Sequence, residues 1–185
     1  MTDFPGLLRT LTDAGVDFIV VGGAAATAHG SARLTLDLAV VYRRSPEQID
    51  RLVTALAPHQ PYLRGAPPGL PFRWDAKTIA HGLNFTLVTD LGALDPLGEI
   101  TGGGMYEDLL SHALPLDVFG IPCRGLSLER LIVVKRAAGR TVKGGALQAR
   151  VARARHLAHP SAGPARHQPV DIRPGSPRHQ PACAR

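Results

Sequence analysis

Ile19-Val20-Val21-Gly22-Gly23-Ala24-Ala25-Ala26-Thr27-Ala28-His29-Gly30-Ser31-Ala32-Arg33-Leu34-Thr35-Leu36-Asp37-Leu38-Ala39-Val40 decides how the rest of the chain is read. An apolar run from Asp17 to Val21, rich in β-branched residues, has the texture of a strand covered on both faces. Gly22-Gly23 follow it, Ala24 to Ala28 favour a helix, and His29-Gly30 end that helix. A second buried strand then covers Leu38 to Tyr42 and opens on Thr35-x-Asp37. That order sets backbone amides, a cation and a carboxylate around one small pocket. Side chains at i and i+2 of a strand share a face, so a carboxylate partner for Asp37 belongs at position 39. Position 39 is alanine.

Outward from this stretch, Leu7, Leu8 and Leu11 predict a helix over 5–14 stopped by Gly15. Ser45-Pro46 predicts the N-terminus of a helix reaching Ala57. From His59 to Trp74 a Pro- and Gly-rich run excludes regular structure, and a loop of that length is usually functional or mobile. Phe85–Val88 and Ala93–Asp95 predict strands joined by a turn at Asp90-Leu91-Gly92, and Pro96 suggests that the second lies at an edge. A helix should begin near Tyr106. Leu114–Phe119 and Ile121–Gly125 predict a hairpin split by Gly120, and Ser127 should cap a helix to about Ala138. These elements make a single α/β (α+β) domain over 1–140, a small mixed sheet flanked by helices.

The chain has 185 residues, 44% of them apolar, enough for one core. Its net charge of +6 is unevenly placed. Residues 1–140 carry 13 Lys/Arg against 14 Asp/Glu, while 141–185 carry 8 against Asp171 alone. The body is therefore no polycation built to coat nucleic acid; only the tail could act so. Rich in Pro, Arg and Ala, that tail predicts disorder with at most a frayed helix over 146–157. Its composition suits a GC-rich coding sequence read in an unintended frame. Two cysteines, Cys123 and Cys183, give neither a disulfide framework nor metal-ligand spacing. With no window of 18 apolar residues and no basic-then-apolar leader, the expected location is the cytoplasm.

Transfer of a nucleotidyl group would require three things of such a pocket. Glycines let a backbone approach phosphate closely. Carboxylates hold a divalent metal, usually Mg²⁺. A cation meets the charge that develops on the phosphates. Gly22 and Gly23 answer the first requirement, as an ordinary tight turn would too. Asp37 answers the second, unless it only ends a strand. Asp95 could add a carboxylate from the side, with Glu99 a weaker candidate. Arg33 could reach phosphate, and Thr35 offers a hydroxyl on the face of Asp37. Lys135 shares a helical stripe with Leu128, Leu131 and Ile132, so it either snorkels from the edge or points into a polar pocket.

Gly22-Gly23-x5-His29-Gly30-Ser31-x-Arg33-x-Thr35-x-Asp37 resembles the opening signature of the nucleotidyltransferase-fold superfamily. It is most similar to the small prokaryotic AbiEii/MenT-like toxin enzymes. Arg64-Gly-Ala-Pro-Pro-Gly-Leu-Pro-Phe72, Gly82-Leu-Asn-Phe-Thr86 and Leu131-x3-Lys135-Arg136-Ala-Ala-Gly-Arg140 extend the likeness over roughly 5–141. The resemblance implies a nucleotidyltransferase-like fold, with Gly22, Gly23, Ser31, Arg33 and Thr35 near the nucleotide. It implies Asp37 on Mg²⁺ and Lys135 as a site cation. It also implies an NTP substrate, an acceptor such as a tRNA 3′ end, and an antitoxin partner. Two departures stand out. The family's Asp-x-Asp is Asp37-Leu38-Ala39, and Thr141-Val142-Lys143 leads into the basic tail where relatives carry an acidic, Leu-rich helix. One lost electrostatic contact of this kind costs roughly 3–4 kcal/mol of barrier. Three readings follow: an enzyme working from Asp37, Asp95 and Lys135; a degenerate relative that keeps the fold and binds nucleotide or antitoxin; and a nucleic-acid binder acting through its tail.

Overall fold

The computed structural model describes residues 1–139 except Pro68. The expectations for the tail, its frayed helix and its disorder lie outside the described residues.

Helix α1 (Phe4–Asp13) starts at Asp3, whose carboxylate accepts from Gly6 N at 2.9 Å, and it buries Leu7, Leu8 and Leu11. Strand β1 (Phe18–Val21) is buried along its whole length, as its unbroken apolar run demands. Helix α2 begins two residues earlier than the sequence suggests and spans Gly22–Ala28. It ends in a Schellman motif: Ser31 N donates to Ala26 O and Gly30 N to Thr27 O, with Gly30 at φ +85°. Strand β2 (Asp37–Tyr42) follows, then α3 (Pro46–Leu56), capped by Ser45 as expected. Strand β3 (Tyr62–Leu63) is short. Helix α4 (Ala76–His81) was not anticipated, although Asp75 caps it by accepting from Thr78 N at 2.8 Å.

Strands β4 (Leu87–Thr89) and β5 (Gly92–Leu97) form the expected hairpin. A two-stranded ladder, β6 (Glu99–Ile100) with β7 (Gly104–Met105), leads to α5 (Tyr106–Leu109). The second hairpin, β8 (Ala113–Val118) with β9 (Ile121–Leu126), turns on Phe119 and Gly120, both at positive φ. Helix α6 (Leu128–Ala137) starts at Ser127, which accepts from Arg130 N.

The main sheet has seven strands in the order β3-β4-β5-β2-β1-β9-β8. β2 pairs antiparallel with β1 and parallel with β5, so the sheet is mixed, and helices flank it. Leu38 and Val40 of β2 are fully buried, while Asp37 and Ala39 alternate onto the other face and are partly open.

The expected edge position of the Ala93–Asp95 strand is overturned. β5 is an interior strand, not an edge. The pairing runs on past β4 in the same register, with Asn84 bridging Leu97 and Phe85 standing opposite Pro96. Phe85 N donates to Pro96 O at 3.1 Å, and all that the proline forfeits is the reciprocal donation from its own nitrogen.

The run from His59 to Trp74, expected to hold no regular structure, contains β3, which pairs antiparallel with β4; rings hold the remainder. Tyr62 meets Phe72 edge-on at 6.0 Å, Phe72 lies 6.4 Å from Trp74, and Trp74 meets Phe85 at 6.5 Å. Trp74 Nε1 donates to Val53 O, and the Tyr62 hydroxyl donates towards Pro67 O and Leu70 O. This lattice fixes the base of Arg64, whose backbone N donates to Thr86 O at 2.9 Å.

Candidate functional site

The glycine turn sits over the start of β2. In the β1–β2 register Val21 is opposite Ala39, so Gly22 and Gly23 run on above Leu38 and Asp37. Gly22 holds φ +66°, and a Cβ built on it would lie 3.3 Å from the Ala39 Cβ. A Cβ on Gly23 would overlap the Thr35 hydroxyl. Both glycines are therefore required by close approach, and Gly22 also by its left-handed backbone. Thr35 Oγ1 lies 3.2 Å from Asp37 O and 3.4 Å from Asp37 Oδ1, so it donates locally and braces the carboxylate. Gly22, Gly23, Thr35 and Asp37 thus form one contiguous patch.

Asp95 reaches the same patch from β5. The parallel β2–β5 register sets Asp95 level with Ala39, the position where the second carboxylate of an Asp-x-Asp would stand. Its side chain is only 14% exposed, against 41% for Asp37. Burial, first, pushes the Asp95 carboxyl up to about 6. The neighbouring Asp37 adds to the rise, by its charge and by a hydrogen bond that favours the protonated acid. Opposing both is Arg64, whose Nη2 lies 2.7 Å from Asp95 Oδ1 and 3.9 Å from Asp37 Oδ2. The sequence reading assigned no role to Arg64. A signal existed: it is the single charged residue between Gln60 and Phe72.

The other expected residues are placed less centrally. Ser31 is taken up in the Schellman stop of α2, and its Oγ accepts from Arg33 N at 3.3 Å. Arg33 is exposed in the loop before β2. His29, expected only to punctuate the helix, bonds through Nε2 to Leu126 O at 2.8 Å and ties α2 to β9. Lys135 is half-buried in the last turn of α6. On that turn Val134 and Ala137 press against Gly103 and Gly102, where an added Cβ would meet them. Glu99 does not join the carboxylates. It lies four residues beyond Asp95, roughly 13 Å along the chain direction, exposed at a corner pinned by Asn84.

Among the described residues no group of three or more His, Cys, Asp or Glu is arranged to hold a metal ion. Asp37 and Asp95 nonetheless fit one hard cation. Mg²⁺ is commonly bound by one or two carboxylates, with water and substrate phosphate completing its shell. Two carboxylates brought this close supply the negative field such an ion relieves. The donor set suits a single cation and not an all-protein cage.

No family model matches the chain, and no curated protein matches it. Among solved structures, the chain is similar to a candidate nucleotidyltransferase from Thermotoga maritima. The identity is 16%, the match covers 85% of this chain and 93% of that one, and the TM-score is 0.44. At that score the likeness carries no argument about fold or activity. Among the described residues no helix is long and apolar enough to cross a membrane.

Proposed function

We propose that the chain is a nucleotidyltransferase-type protein that binds a metal-complexed NTP at the Gly22–Gly23 turn. The observation that carries this reading is the convergence of Asp37 and Asp95 beneath that turn, with Arg64 set against both. Asp37 and Asp95 would hold Mg²⁺, which when bound neutralises phosphate charge and lowers the pKa of an attacking hydroxyl. Gly22 and Gly23 let the backbone come close to the phosphates, and Thr35 keeps the Asp37 carboxylate oriented. Arg33 and Ser31 flank the nucleotide, and Lys135 contributes positive charge from α6. The sequence resemblance adds a finer proposal: transfer of a nucleotide to a tRNA 3′ end, with an antitoxin partner, in the cytoplasm.

A second reading rests on Ala39. The carboxylate missing there faces Asp95 across the strand pair, and the positive charge of Arg64 already sits on the remaining two. This favours a relative that binds nucleotide or an antitoxin with little turnover. Incubation with each labelled NTP, Mg²⁺ and total tRNA separates the two. Transfer abolished by Asp37→Asn supports the enzyme. No transfer from the natural chain, with activity appearing in Ala39→Asp, supports the degenerate relative.

A further inference from the structure

We infer that Arg64 is a metal-displaceable counter-ion: it holds the carboxylate pair when no divalent cation is bound and turns to the nucleotide's phosphates when one is. The inference rests on the reading of Asp37 and Asp95 as the cation site and assigns Arg64 a part in it. Three observations carry it. The guanidinium bonds Asp95 at 2.7 Å and lies 3.9 Å from Asp37, on the two side chains a cation would need. The backbone of Arg64 is fixed through Thr86 O and the Tyr62–Phe72–Trp74 ring lattice, so release requires only side-chain rotation. The next residue, Gly65, takes φ +78° with nothing within 4 Å of where a Cβ would stand, which leaves open space beside the pivot.

The electrostatics favour exchange over coexistence. A guanidinium and a divalent ion cannot both sit against the same pair without repelling at contact distance. Once the ion neutralises the carboxylates, an arginine beside the glycine turn finds phosphate oxygens the better partners, since its planar fork matches them. Arg64 would thus compete with metal in the empty site and assist the nucleotide in the loaded one.

Mn²⁺ alone, followed by electron paramagnetic resonance, reads the first half, and inorganic triphosphate at saturating Mn²⁺ reads the second. Arg64→Ala should bind Mn²⁺ about fivefold tighter than the natural chain, the scale of one part-exposed ion pair. It should bind triphosphate about tenfold more weakly, the scale of one charge-assisted contact. Arg64→Lys, which keeps the charge, should leave Mn²⁺ affinity close to the natural value. Arg73→Ala removes a charge from the same loop, touches neither carboxylate, and should change neither affinity. Equal Mn²⁺ binding by the natural chain and Arg64→Ala would overturn the inference alone. Unchanged triphosphate binding in Arg64→Ala overturns it as well. If neither folded protein binds Mn²⁺, the inference and the cation-site reading fall together.

Discussion

Replacing Asp95 by asparagine should stabilise the protein while removing a proposed metal ligand. In the folded chain the Asp95 carboxyl is pushed from an ordinary 3.8 to about 6, chiefly by burial and then by Asp37, even with Arg64 beside it. A raised carboxyl means the folded state holds this proton more tightly than the unfolded chain does. Stability contributed here is therefore greatest below pH ~4, falls as the pH climbs through the window between 3.8 and about 6, and stays low above it. Two pH units correspond to about 3 kcal/mol; with partial relaxation, a gain of about 1–3 kcal/mol is expected for Asp95→Asn at pH 7.5. In a domain of this size that raises Tm by roughly 3–10 °C. Urea unfolding of both proteins from pH 4 to 8 gives the decisive curve. The difference between variant and natural protein should grow between pH 4 and 6.5 and then level. A difference that is flat, or that shrinks as pH rises, would refute the view that Asp95 is a strained carboxylate in the folded state.

Other substitutions probe neighbouring parts of the patch. Ala39→Asp adds a third charge level with Asp95 and close to Gly22; it should lower metal-free stability by about 1–3 kcal/mol and raise the Tm increment produced by Mg²⁺, both read by thermal melts. Gly23→Ala drives a methyl into Thr35 and should cost about 1–3 kcal/mol in urea unfolding. Pairing it with Thr35→Gly should restore much of that loss, and no restoration would place the clash elsewhere. Leu38→Ala, on the buried face of the site strand, should cost about 2–5 kcal/mol by the same measurement, whereas Leu36→Ala on the exposed loop should change stability little.

The order strand, glycine turn, helix and second strand was legible because each piece is set by neighbours in sequence. β-branched runs, the Gly30 stop and the Ser45 and Ser127 caps act over a few residues, and the structure reproduces them. The proximity of Asp37 to the glycine turn follows from the same short range. Helix α4 was hidden by the Pro-rich run before it, though Asp75 and Thr78 carried its cap in plain view. Pro96 misled because an interior proline gives up a single ladder donor, while its carbonyl still accepts from Phe85 N.

Composition and periodicity by themselves pointed to the mixed α/β class, located the basic charge beyond the body, and nominated Asp37 as a carboxylate candidate. They put Asp95 ahead of Glu99 as a second carboxylate and gave Arg64 no part. Their placement came from the parallel β2–β5 register, which sets Asp95 opposite Ala39, and from the loop that returns Arg64 to an aspartate 31 residues away. Strand pairing and charge contact across such separations depend on how the whole core packs, and no local pattern encodes them.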